Sequence, residues 1–429
     1  MSTHVNALSP LLLTLLASTA GPEPAATQAE HPTDAKALLA LRRQALGASE
    51  ALQAVKGVES RARGEWVGLD QEGVVEEHYG GFRQIASKSS YEAFGDFRLG
   101  AAGERFFWEQ SPLGVTIRTG WDAAQFLRMF EIPHHTDWRQ LYQDATLEGL
   151  RTLEDGRECH VLRMRPRALY PLSDDEPREA PDDLWFLERD THLLARVELP
   201  SAGSPSGGAV LELRDYREVD GVRYAHRQGL RISGFELLLH YETIRHVDTL
   251  PQDLFTPNDD VLTAFEEQRS GKAAERDAQI VVEDVEVRHI ASIRLETPHR
   301  DMQKTLSILL PEVLQHVLAE GAQMDGQPLV RYHSFGDAVD LEAAIPVRSP
   351  IRAKGRVKPS TLPAGLTASA WHVGPYDRLG DAYERLQAHF AEHELEPNGA
   401  PWEVYWTDPG LEPDPQKWRT QLFWPVQRR

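Results

Sequence analysis

Three short segments near the end of the chain carry the residues best suited to holding a small molecule. They are Trp371-His372-Val373-Gly374-Pro375-Tyr376, Pro401-Trp402-Glu403-Val404-Tyr405-Trp406-Thr407 and Trp418-Arg419-Thr420-Gln421-Leu422-Phe423-Trp424-Pro425. Aromatic faces attract cations and a carboxylate supplies the countercharge, so rings gathered around Glu403 suit a lipophilic cation. If residues 402–407 form a strand, Glu403, Tyr405 and Thr407 share one face, and Trp402, Val404 and Trp406 share the other. A carboxylate among bulky rings is costly to bury charged without a partner, unless its sheet face is simply solvated. The binding candidates are Glu403, Tyr405, Trp371, Tyr376, Trp424 and Glu342. Glu342 has small neighbours, Ala343 and Ala344, which favour a structural role. In a catalytic version of the pocket, Glu403 as general base and Tyr405 as acid would add water to a strained electrophile. No nucleophile–base–orienter triad is legible in the chain. Binding without catalysis, and with no cofactor or metal, is therefore the leading expectation.

The elements that must position these residues begin near Ile280. A strand containing Val281, Val282, Val285 and Val287 runs on through Ile293 and Leu295. Met302, Leu306, Leu309, Leu310, Val313 and Val317 then mark one buried helix face. Pro311 predicts a kink or the start of a second helix, and Gly321 a stop. Strands follow over residues 329–334 and 338–347. The plan then repeats: a strand over 366–372, a helix over 376–392 with Leu379, Ala382, Tyr383, Leu386 and Phe390 on one face, and closing strands over 402–407 and 418–424. A tandem βαββ repeat makes one antiparallel sheet with pseudo-twofold symmetry, backed by two helices. The opposite sheet face and the groove between the halves are left open to a ligand.

Four segments carry a family resemblance: 339–347, 372–377, 402–409 and 419–426, the first reading Val339-Asp340-Leu341-Glu342-Ala343-Ala344-Ile345-Pro346-Val347. Together they resemble the GyrI-like small-molecule-binding domain over residues 280–429. That resemblance implies lipophilic, often cationic ligands in an aromatic pocket with a buried glutamate, as in the effector modules of multidrug-responsive regulators. It also implies, for some members, hydrolysis of strained electrophilic rings. The chain departs from the regulator pattern in showing no DNA-binding helix-turn-helix and an apparent export signal.

Upstream, an apolar stripe (Leu38, Leu39, Leu41, Leu46, Leu52, Val55) predicts a helix from Asp34, its cap, to about Val55. Short alternating runs broken by Gly then predict an antiparallel meander, interrupted by helical segments over 121–132 and 137–142. Tight turns are expected at Arg189-Asp190-Thr191 and at Asp220-Gly221. With its Leu250-Pro251-Gln252-Asp253-Leu254-Phe255-Thr256-Pro257 close, the region 35–265 resembles the lipoprotein-sorting carrier (LolA/LolB-like) fold. The resemblance implies an incomplete barrel wrapped on a helix, and an acyl chain or lipoprotein as a further partner. The expected class is α+β throughout. A lipid carrier acting through this first domain is the third functional class, beside binding protein and hydrolase.

Size and composition bound these readings. The 429 residues favour more than one domain, and residues 266–279 read as the linker between them. A net charge of -20 repels phosphate, arguing against nucleic acid and anionic lipid surfaces as partners. The one cysteine, Cys159, sits in an alternating apolar run and reads as core. His134, His135, His226, His240 and His246 lack metal-ligand spacing and read as surface or strand-edge residues. The Asp174-Asp175-Glu176 run reads as a solvated loop. Leu11 to Ala17 followed by Ser18-Thr19-Ala20 reads as a signal peptide over residues 1–20, with a linker over 21–34. That places the protein in the periplasm or outside the cell. No stretch has the 18 or more apolar residues expected of a transmembrane helix.

Overall fold

The predicted first helix is divided in two because Gly47 lies against another segment. Helix α1 (Ala35–Leu46) is capped by Asp34, whose carboxylate accepts the Ala37 N–H at 2.9 Å. A Cβ at Gly47 would stand 2.4 Å from the Gly221 carbonyl oxygen, so only glycine allows the approach. Helix α2 (Ser49–Ala54) follows. The computed structural model describes residues 34–69, 71–112, 114–173, 176–201, 204–232, 235–270, 279–407 and 415–429. The leader expected over 1–20 and the linker expected over 21–34 lie outside them, except for Asp34.

Two meanders make the first sheet. One comprises β1 (Gly57–Trp66), β2 (Gln71–Gly81), β3 (Gln84–Tyr91), β4 (Gly95–Ala101), β5 (Phe107–Ser111) and β6 (Gly114–Arg118). Helices α3 (Gly120–Glu131) and α4 (Trp138–Leu141) follow. The other comprises β7 (Tyr142–Thr152), β8 (Glu158–Pro166), β9 (Asp183–Glu188), β10 (Leu194–Ser201), β11 (Ser204–Val219), β12 (Val222–Ile232) and β13 (Phe235–Val247). Pairing of β1 with β13 joins them into thirteen antiparallel strands in the order β6-β5-β4-β3-β2-β1-β13-β12-β11-β10-β9-β8-β7. One apolar cluster takes Leu38 and Leu39 of α1, Leu127 of α3, Ile85 and Phe107 of the first meander, and Trp185 and Leu211 of the second. Strands distant in the sheet order thus share one core, wrapped on the helices. The Asp220-Gly221 turn forms as expected, with φ of 46° and 81° in the left-handed region that a two-residue hairpin requires.

Some polar expectations fail here because this core is not wholly apolar. His134 and His135 are half-buried rather than on the surface, stacking on Tyr79 and packing on Tyr224. Burial drives the imidazole of His134 down to about 4. Glu176 does not float in a loop: it accepts the backbone N–H of Trp121 at 3.0 Å and of Ser173 at 2.8 Å, tying the loop to the start of α3. Asp174 and Asp175 lie outside the described residues.

Helix α5 (Asp259–Ser270) packs Val261, Leu262 and Phe265 against Phe106 and Trp108, extending order five residues beyond the expected boundary at 265. The second sheet then begins. The single strand expected from Val281 to Leu295 is two: β14 (Val281–Val285) and β15 (Arg288–Pro298), which pair in different halves of the sheet. Helix α6 (Met302–Ala319) runs through Pro311 as one helix, and Gly321 takes the left-handed φ of 62° that ends it. Strands β16 (Leu329–Ser334), β17 (Ala338–Pro346), β18 (Lys358–Leu362) and β19 (Gly365–Val373) lead to helix α7 (Leu379–Glu392). The chain closes with β20 (Leu395–Pro397), β21 (Trp402–Tyr405) and β22 (Arg419–Arg428). The order β14-β19-β22-β21-β16-β17-β15-β18 sets β19-α7-β21-β22 against β15-α6-β16-β17, the tandem βαββ read from the pattern. The two halves meet where β16 pairs with β21, Val330 opposite Glu403. Among the described residues no helix is long and apolar enough to cross a membrane.

Candidate functional site

Glu403 stands at that seam. Alternation sends Trp402 and Val404 to one face, where they pack with Ile290, Leu329 and Leu362. Tyr405 goes to the other, beside the core under α6. Leu422, opposite Glu403 on β22, packs under α7, so Glu403 faces the helix-backed side, between α6 and α7. Of the two open surfaces expected, the groove between the halves is therefore the one that holds it. The opposite face is occupied by rings, with Trp402 and Phe423 stacked at 5.5 Å.

The carboxylate is 5% exposed and is surrounded by phenols. Tyr383 of α7 donates to Oε1 at 3.0 Å; Tyr405 donates to Oε2 at 2.9 Å, and Tyr332 of β16 at 3.3 Å. The Tyr332 and Tyr405 hydroxyls lie 3.3 Å apart. Burial raises the pKa of Glu403 above the usual carboxylate range, and the three phenolic donors oppose that rise only in part. Its described partners are neutral donors, so hydrogen bonds reach it but no countercharge does among them. The phenols in turn are held protonated, chiefly by burial and then by the adjacent carboxylate.

Two of the ring candidates join this cluster. Tyr376, in the 3-10 turn Tyr376–Arg378, packs edge-on to Tyr405 at 5.5 Å and against Trp418 at 4.7 Å. Trp424 packs on Tyr383 and on Phe390, at 5.7 and 5.6 Å, and so backs the cluster from beneath α7. Two candidates lie elsewhere. Trp371 pairs across from Gln421, on the face opposite Leu422, and its ring is already covered by the guanidinium of Arg419 at 4.5 Å. It lines the wider cavity but not the Glu403 cage. Glu342 faces away from the helices and accepts from Ser292 at 2.7 Å, with the ring of His333 at 3.1 Å. Burial alone would raise its pKa, but hydrogen bonds from Ser292, Ser360 and His333 hold it below the ordinary value. Glu342 is not among the residues that line the cavity, although its partner His333 is.

Tyr332 and Tyr383 are the site residues that sequence reasoning missed. Tyr383 reads as one more apolar position on a helix stripe. The available signal was its hydroxyl, which a buried stripe must satisfy and which Leu386 or Phe390 would not need.

The groove opens into a cavity of ≈ 3260 Å³ lined by both sheets' elements. Leu306, Leu310 and Leu314 of α6 form one wall beside Tyr332 and Glu403, and Trp66, Phe94, Phe97 and Phe235 of the first sheet form another. The two parts touch where Gln71 Nε2 donates to the Leu318 carbonyl at 3.2 Å and the Met324 N–H to the Ala93 carbonyl at 3.3 Å.

Residues 278–427 match the family described as the GyrI-like small molecule binding domain. Among solved structures, the EcmrR C-terminal domain is 21% identical at a TM-score of 0.33, covering 35% of this chain and 98% of its own. A LolA superfamily protein from Nitrosomonas europaea is 13% identical at a TM-score of 0.35, covering 53% of this chain and 99% of its own. A DUF1329 family protein from Desulfovibrio piger is 14% identical at a TM-score of 0.35, covering 52% and 96%. No curated protein matches the chain.

Proposed function

We propose that the chain is an exported ligand-binding protein of two domains, 35–265 and 280–429, whose second domain binds lipophilic cations in the Glu403 cage. One observation carries the reading: a carboxylate 5% exposed, held by three tyrosine hydroxyls and by no cationic side chain among its described partners. Leaving a charge buried without countercharge is expensive, so the arrangement favours a ligand that brings the countercharge with it. Phenol faces around the carboxylate suit an alkylated or aryl cation better than a strongly hydrated one. The match of residues 278–427 to a small-molecule-binding family supports the same class. A hydrolytic role is less favoured, because the phenols donate into the lone pairs with which a general base would take a proton from water.

The test is a titration of the whole chain with tetraphenylphosphonium, read by tryptophan fluorescence and repeated on Glu403→Gln. Saturable binding near micromolar, weakened at least tenfold by the substitution, is expected. Equal affinity of the two proteins would refute the cage as the cation site.

A further inference from the structure

The cage is small, but the cavity it opens into is not. Drug-sized ligands occupy pockets of ~300–1,000 Å³, whereas this cavity is ≈ 3260 Å³ and continuous between the two sheets. Its interior is chemically divided. At one end stands Glu403 with its phenols. Away from it, α6 presents Leu306, Leu310 and Leu314 in a row, one turn apart, spanning ~12 Å at 1.5 Å per residue. Beyond them the first sheet offers an aromatic shelf. Trp66 packs edge-on to Phe94 at 5.9 Å and to Phe235 at 6.4 Å, and Phe235 remains 39% exposed. Contacts of Gln71 with Leu318, and of Met324 with Ala93, hold this shelf against the C-terminal end of α6. Trp66 and Phe94 belong to the cluster of Tyr91, Val75 and Tyr241, which lies on the same sheet face as Val58, Tyr79 and Ile85 of the larger core but farther along the strands, at the end that meets α6.

The Glu403 carboxylate, the aliphatic row and the aromatic shelf line one cavity, along with other charged side chains such as Arg118, Arg300 and Asp381, and these three features match the parts of one molecule. We propose that the ligand is a single-chain cationic amphiphile: its quaternary or protonated nitrogen sits at Glu403, and its alkyl tail runs along α6 onto the Trp66, Phe94 and Phe235 shelf. The binding site is then shared between the two domains, and neither domain alone accounts for affinity. This rests on the Glu403 cage as the cation site.

The experiment compares butyl-, octyl- and dodecyltrimethylammonium on the full chain, below their micellar concentrations, with tetraphenylphosphonium as the reference. Each added methylene buried should raise affinity by up to about fourfold until the tail has covered the shelf. Phe235→Ala, at an exposed position, should weaken dodecyl binding tenfold or more while leaving the butyl compound and tetraphenylphosphonium unchanged. Phe94→Leu, which preserves bulk, should do the same more weakly. Glu403→Gln should weaken all three lengths by the same factor. Affinity that stops rising at butyl, or a Phe235→Ala variant that binds dodecyltrimethylammonium as the parent does, would overturn the shared site even if tetraphenylphosphonium still binds through Glu403. Failure of tetraphenylphosphonium itself overturns the cage, and this inference with it.

Discussion

Removing the Tyr383 hydroxyl isolates the electrostatics of the cage. Tyr383 reaches Glu403 Oε1 at 3.0 Å from the far side of the groove, so Tyr383→Phe deletes one of three donors and leaves packing on Trp424 in place. A hydrogen bond to a charged group is worth ~1.5–3 kcal/mol, and one pH unit corresponds to ~1.4 kcal/mol. The pKa of Glu403, already raised by burial, should therefore rise by about one to two further units. Two measurements follow. The pH profile of tetraphenylphosphonium affinity, which needs the ionised carboxylate, should move to higher pH by that amount. The stability profile should change with a definite sign. A carboxylate with a raised folded pKa favours folding below its unfolded pKa, and that contribution is lost as pH rises through the folded value. The variant should therefore approach the parent's stability at pH 4 and fall below it by ~1.5–3 kcal/mol at pH 8 in urea unfolding. A binding profile that stays put, or a stability loss equal at both pH values, would show that Tyr383 does not stabilise the charge.

Further outcomes follow from the first core. Arg128 and Asp183 are 2% and 0% exposed and 2.8 Å apart, with the Tyr142 hydroxyl donating to the same carboxylate at 2.7 Å. Arg128→Met should lower stability by ~3–5 kcal/mol in urea unfolding by leaving Asp183 unpaired, and adding Asp183→Leu should recover most of that loss. Glu131, buried against Tyr79, Thr136 and the Arg83 N–H, has its pKa raised to about 7, chiefly by burial. Between pH 4.5 and 7 it should withdraw ~3 kcal/mol of stability as pH rises, and Glu131→Gln should flatten that part of the profile.

Local pattern and chain order carried much of the architecture. The 3.6-residue stripes of α6 and α7, the Asp220-Gly221 turn and the strand parity that set Glu403 with Tyr405 all depend on near neighbours, and all stand in the structure. The tandem βαββ was legible because one half repeats the other. Boundaries failed where distant contacts decided them. Gly47 breaks a helix because Gly221 lies across from it, and β14 leaves β15 because its hydrogen-bonding partner is β19. The candidate site divides in the same way. Glu403 and Tyr405 share one strand, so alternation pairs them. Tyr332 and Tyr383 come from 71 and 20 residues away and meet the carboxylate only after the sheet closes. Trp371 looked equally suited to a place beside Glu403, but the sheet register turned it to the other face, where it lines the wider cavity with the Arg419 guanidinium over its ring. Residue type and spacing determined that the chain carries a carboxylate among rings. Which rings surround it, and that the first sheet's aromatic shelf opens onto the same cavity, were decided by long-range packing, because the energies that fix those contacts belong to pairs of surfaces far apart in the chain.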